Sequence, residues 1–132
     1  MFAYFCVAVG GALGSVGRFW LASLVAERYG TGFPWGTLVI NITGSLMIGL
    51  FAALNEPAGH MGASPTFRQF FMIGICGGYT TFSSFSLETL RQIQSGNWLQ
   101  AGSYIMLSVL LCLIAVWLGY GLGGLLNSLK AH

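Results

Sequence analysis

Apolar residues fill four long runs, and polar or charged residues collect at three joints between them. The runs cover about residues 3–26, 35–54, 67–93 and 98–126. A helix needs about 20 mainly apolar residues to cross the hydrocarbon core of a bilayer, so each run is long enough to span. The first ends at Glu27-Arg28-Tyr29-Gly30. The second begins after Gly32-Phe33-Pro34 and stops at Asn55-Glu56-Pro57, and Lys130 follows the fourth. Gly and Pro are poor continuations of a helix, which makes these joints its natural ends. The longest joint, Asn55 to Thr66, is rich in Pro, Gly and Ala and reads as a plain loop. No sequence repeat or low-complexity tract interrupts the series. Residues 1–132 therefore read as one all-α integral membrane domain of four transmembrane helices.

The third run is unlike the others. Residues 74–88 read Gly-Ile-Cys-Gly-Gly-Tyr-Thr-Thr-Phe-Ser-Ser-Phe-Ser-Leu-Glu. A Gly pair beside a string of Thr and Ser makes a poor continuous helix, since each interior Gly costs about 1 kcal/mol relative to Ala. The pattern predicts a break near Gly77, in mid-membrane. Backbone freed at that depth has to be buried in protein or line a polar cavity. A broken helix offers carbonyls at the end of its first half and N–H groups at the start of its second, so the segment points to ions.

Composition agrees with the run pattern: 55% of the residues are hydrophobic and 6% are charged. A soluble domain carries about 25% charged residues. The net charge of +2 is too small to suggest a nucleic-acid partner. Cys6, Cys76 and Cys112 lie in apolar stretches at spacings that match no zinc or redox motif, and they read as small buried apolar residues. No Lys or Arg precedes Arg18, so the first run reads as a retained helix, without the basic start of a signal peptide.

Charge also bears on orientation. With four spans both termini share a side. Lys130 and Arg68 lie on that side, and Arg28 and Arg91 lie on the other. Equal counts give no preference under the rule that basic loops stay in the cytoplasm. Such a chain can insert both ways, and oppositely oriented copies can pair as an antiparallel, dual-topology homodimer. Small residues allow close helix contacts: Gly10, Gly14 and Gly17 in the first run, and Gly119 and Gly123 in the fourth. Packing within one chain and packing between copies both fit that spacing.

A few polar residues inside the spans carry the candidate chemistry. Arg18 is costly at its depth, so it caps carbonyls, pairs with an acid, snorkels to the interface or attracts anions. Glu88, the only acid in the third run, is a candidate partner for it. Thr37, Asn41 and Ser45 recur every four residues and share a helix face. Asn41 is either interhelical glue or part of a lined path, and its amide NH2 supplies two donors without charge. Phe82 and Phe85 project from one face just past the predicted break, among Thr80, Thr81, Ser83, Ser84 and Ser86. They are either ordinary core or ring edges, which are positive and can face an anion. Tyr104 and Ser108 stand four apart and can extend the stripe, with Cys112 as a weak continuation. No catalytic set, phosphate loop or Cys/His metal cluster is present, and an enzyme is not expected; His60 and His132 fall in a loop and at the terminus.

Three stretches carry a resemblance. They are Gly10-Gly11-Ala12-Leu13-Gly14-Ser15-Val16-Gly17-Arg18-Phe19, then residues 35–45 from Trp35 through Asn41 to Ser45, then residues 77–88 from Gly77-Gly78-Tyr79 to Glu88. In this order, and over essentially the whole chain, the sequence resembles the Fluc/CrcB fluoride channels. The resemblance implies an inverted homodimer in the cell inner membrane that lets fluoride leave the cytoplasm passively and relieves its toxicity. It implies that Asn41, Phe82 and Phe85 line the pathways, with Ser84 and Thr37 nearby. It also implies a structural sodium ion at the dimer centre, held by backbone carbonyls of Gly77 and Thr80 and not transported. Cys112 stands where the family often has a hydroxyl. The rival readings are a small dual-topology multidrug or cation exporter, which would need a membrane-embedded Glu where this chain has Arg18, and a non-transporting assembly protein.

Overall fold

The computed structural model describes residues 1–57, 59 and 61–130, with Lys130 by its backbone alone, and the expected positions of His60 and His132 lie outside them. Helix α1 covers Phe2–Tyr29 and α2 covers Trp35–Leu54. The third span, Pro65–Gln94, is built from four pieces. These are a first turn α3 (Pro65–Arg68), a π-helical segment (Gln69–Cys76), a short α4 (Gly77–Tyr79), and, past a break, α5 (Phe82–Gln94). Helix α6 covers Trp98–Lys130. Four stretches are thus long and apolar enough to cross a membrane, as the run pattern predicts, and the chain is a multi-pass membrane protein.

Span ends differ from expectation where charge and helix propensity part company. Glu27, Arg28 and Tyr29 belong to α1, which stops only at Gly30 with its φ of 73°. At 1.5 Å per residue the 28 residues of α1 extend about 42 Å, beyond an apolar core of about 30 Å, so its charged last turn reaches the interface. The α2 bounds match the expected 35–54. Its end is tied by the Asn55 carboxamide, which donates to the Phe51 carbonyl at 2.8 Å and accepts from the Ala63 N–H at 3.1 Å. The third span restarts on Ser64, whose hydroxyl accepts from Phe67 N–H at 3.3 Å, with Pro65 in the first helical turn.

Packing follows the small residues. Helix α2 lies chiefly along α6, and α1 lies along the π-helical segment and α4. A methyl group at Gly14 would stand 2.8 Å from the Tyr79 nitrogen, and one at Gly78 would stand 2.5 Å from the Gly11 carbonyl oxygen. Gly119 meets the Leu46 backbone in the same way, and Gly123 meets Ala53 and Leu50. These glycines serve contacts within one chain. The same packing corrects the expected position of the break. Gly77 and Gly78 are helical, and the chain leaves the helix three residues later, at Thr80 (φ −76°, ψ 158°) and Thr81 (φ −151°, ψ 110°). Gly78 is worth more here as a flat contact surface against Gly11 than as a hinge, while Gly77 beside it is exposed and stays helical.

Candidate functional site

The break is held by side chains from two other helices. Asn41 Nδ2 donates to the Thr81 carbonyl at 3.1 Å, and its Oδ1 accepts from the Thr81 N–H at 2.8 Å. One carboxamide thereby satisfies both polar groups of a residue that would otherwise be orphaned at membrane depth. From α1, Arg18 Nη1 donates to the Thr80 carbonyl at 3.2 Å. Thr81 also starts α5, its hydroxyl accepting from the Ser84 N–H at 3.1 Å and contacting the Ser84 hydroxyl at 3.0 Å.

These bonds redirect donors that a continuous helix would use. The Thr81 N–H would bond the Gly77 carbonyl and the Ser84 N–H would bond the Thr80 carbonyl, each four residues back. Both point elsewhere, and among the described residues no other backbone N–H replaces them. The Gly77 and Thr80 carbonyls therefore have acceptor capacity left over, with Arg18 using part of that of Thr80. Hard oxygen donors of this kind fit a small hard cation such as sodium. One chain supplies two of them. Among the described residues no group of His, Cys, Asp or Glu could hold a metal ion.

A cavity of about 440 Å³ opens beside the break, lined by Asn41, Thr81, Phe82, Phe85, Ser108 and Cys112, with Ser45, Gly77 and Thr80 on its wall. The two phenyl rings lie 5.4 Å apart, and Phe85 continues to Tyr104 at 5.1 Å. Phe82 is 78% exposed, a cost in water that a lipid or a second chain would remove. The Ser108 hydroxyl is buried with no hydrogen-bond partner among the described residues. One turn past Ser84, Glu88 accepts from the Thr37 hydroxyl at 2.8 Å and from the Tyr104 hydroxyl at 2.7 Å. Tyr104 is fully buried, and Thr37 nearly so.

A family model described as CrcB-like protein, Camphor Resistance (CrcB), matches residues 5–120. The chain belongs to the CrcB family. Among its curated relatives is the fluoride-specific ion channel FluC of Opitutus terrae, 55% identical over 98% of both chains. The protein of the same name from Rhodospirillum rubrum is 58% identical over 89% of this chain and 91% of its own. That of Paramagnetospirillum magneticum is 51% identical over 96% and 99%.

Within this CrcB-family chain the structure brings Asn41, Ser84, Phe82, Phe85 and Ser108 to one cavity or its edge, and gathers Thr37 and Tyr104 around Glu88. The expected pairing of Arg18 with Glu88 is corrected. Arg18 caps a carbonyl of the break, one of the roles open to it, and Glu88 takes two hydroxyls instead. Opposite charge suggested the pair, but Glu88 follows Ser84 at four-residue spacing and so shares the face that meets α2 and α6. Two residues gain weight that the sequence reading did not give them. Thr81 is the pinned residue of the break, legible in retrospect as a helix cap three residues before Ser84, and Glu88 organises Thr37 and Tyr104.

Proposed function

We propose that this chain is the subunit of a fluoride-specific channel, which lets fluoride leave the cytoplasm down its electrochemical gradient and so limits its toxicity. The carrying observation is the row of uncharged donors beside the break, ending in a buried Ser108 hydroxyl with no acceptor among the described residues. The printed names of relatives that are 51–58% identical support it.

Fluoride is small and strongly hydrated, so any path for it has to replace water with close donors. Asn41, Ser84 and Ser108 supply N–H and O–H groups without a fixed positive charge that would trap the ion. The edges of Phe82 and Phe85 add positive potential with no acidic proton. The Thr37 and Tyr104 hydroxyls are spoken for by Glu88, so an anion reaching them has to take the place of the carboxylate as their acceptor. Arg18 lends the break a positive field while remaining bonded to Thr80.

In this reading two copies pair antiparallel in the inner membrane, each supplying its freed Gly77 and Thr80 carbonyls to a central sodium ion. When bound, that ion contributes a fixed positive charge and ties the copies together. The balanced basic residues and the outward-facing apolar surface of α6 support the pairing. Nothing in the site favours the exporter reading, since Arg18 occupies the first span where that reading needs a Glu.

The test is fluoride release from proteoliposomes of the purified protein, followed with a fluoride electrode. Rapid release without matching chloride release is expected. A folded protein that releases none would end the channel reading, and release that requires a proton gradient would convert it to a carrier.

A further inference from the structure

From its cap Thr81 onward, helix α5 carries a polar stripe at helical spacing: Ser84, Glu88 and Gln92, with Arg91 beside the last. The last two have no role so far. With Thr37 and Glu88 they open onto a second cavity of about 400 Å³, closed on its other sides by Ala22 and Ala26 of α1 and by the Gly30–Pro34 joint. Thr37 and Glu88 line this cavity and not the first, whereas Asn41, Thr81 and Ser108 line the first and not this one. The Thr37–Glu88–Tyr104 cluster thus separates two spaces.

Two residues that line the second space carry unspent groups. Among the described residues no acceptor takes the Arg91 guanidinium, which is exposed at the rim. The Gln92 Oε1 atom is buried without a donor among the described residues. Burying an unmatched amide oxygen is unfavourable, and the NH2 group of the same carboxamide is likewise unspent among the described residues. An amide NH2 beside a cation with no acceptor among the described residues is matched to an anion. The one acid on the wall, Glu88, already accepts from two hydroxyls, which weakens its pull on cations.

We infer that this cavity is an anion antechamber at the outer end of the polar stripe: Arg91 gathers small hydrated anions at the rim, and the Gln92 carboxamide passes them to the Thr37 hydroxyl. The inference rests on the channel reading above and assigns that pathway a second mouth. Arg91 works through long-range attraction, focused by apolar walls. Gln92 works by contact.

The two mechanisms respond differently to salt, because screening acts over about 30 Å at 0.01 M ionic strength and about 3 Å at 1 M. Fluoride release is measured from proteoliposomes at both strengths for the parent, R91E, R91K and Q92L. At low strength R91E is expected to release fluoride about three-fold more slowly than the parent, and to approach the parent at high strength. R91K should follow the parent throughout. Q92L should be slower at both strengths. Recovery of R91E at high strength doubles as evidence that it is folded; should R91E not fold, R91Q carries the same test with a smaller change. Parent-like release by R91E at low strength overturns the antechamber, as does a loss that salt leaves unchanged. Parent protein that releases no fluoride fails the channel reading itself, and the antechamber with it.

Discussion

The carboxamide of Asn41 meets the N–H and the C=O of one residue, Thr81, across 40 positions of sequence. No other uncharged side chain of its size offers a donor and an acceptor side by side. Asn41→Leu keeps the branched outline, with somewhat more bulk, and leaves both Thr81 groups unmatched, at a cost of about 1–3 kcal/mol for each. On the proposed reading it also removes a donor from the path, and fluoride release should fall by about ten-fold or more, since 1.4 kcal/mol is a factor of ten. Release equal to the parent would return Asn41 to the role of packing glue. The two phenylalanines separate function from packing differently. Phe82 is mostly exposed, so Phe82→Ile should leave thermal unfolding of the solubilised chain nearly unchanged while slowing release. Phe85 packs on Tyr104, and Phe85→Ile should lower both. If neither substitution slows release, the ring edges have no part in the path.

Among the elements, the glycines make a sharp contrast. Gly14 faces the backbone at Gly78 and Tyr79, whereas a methyl group at Gly121 would meet nothing within 4 Å. Gly14→Ala should lower the unfolding temperature of the purified protein. Gly121→Ala should leave it level or raise it, since Ala is about 1 kcal/mol better than Gly within a helix. Similar losses at both positions would contradict the α1–α4 contact as described. This contrast also explains what the sequence left hidden in the third span. The span's existence, its limits to within a few residues and its interruption were all readable from apolar length and the Thr/Ser string. The exact place of the break was not, because Gly signals close contact and flexibility with the same letter. The π-helical turns at Gln69–Cys76 have no local signature, being set by how the segment lies on α1. The residues of the site were legible as polar groups within apolar runs. Their partners were not, because a bond such as Thr37 to Glu88 depends on the relative rotation of two helices.

For the whole molecule, the apolar surface is the main fact. Along α6, Leu99, Leu113, Trp117 and Leu129 are each at least 60% exposed, which suits lipid or a second copy and does not suit water. With basic residues balanced two against two, the proposed antiparallel dimer is open to a direct check. A single cysteine placed near the C-terminus, in a variant lacking Cys6, Cys76 and Cys112, should react with an impermeant reagent from each side of the membrane in separate populations. Reaction from one side alone would exclude dual insertion. Extra lysines in one loop should bias the chain to one orientation and lower fluoride release.

The break also has a consequence for how the chain is made. Its polar backbone is matched by Arg18 and Asn41, both of which leave the ribosome before Thr80 and Thr81 do. By the time the third span is synthesised, the groups that make its interruption tolerable in lipid already exist. Tyr104, which completes the surroundings of Glu88, comes last. A circular permutant that begins at the third span would reverse this order. Its unmatched Thr81 backbone would enter the bilayer with nothing to receive it, at a cost of several kcal/mol for each exposed group. The order of the four spans along the gene thus has a physical meaning of its own: helpers are translated before the segment that depends on them.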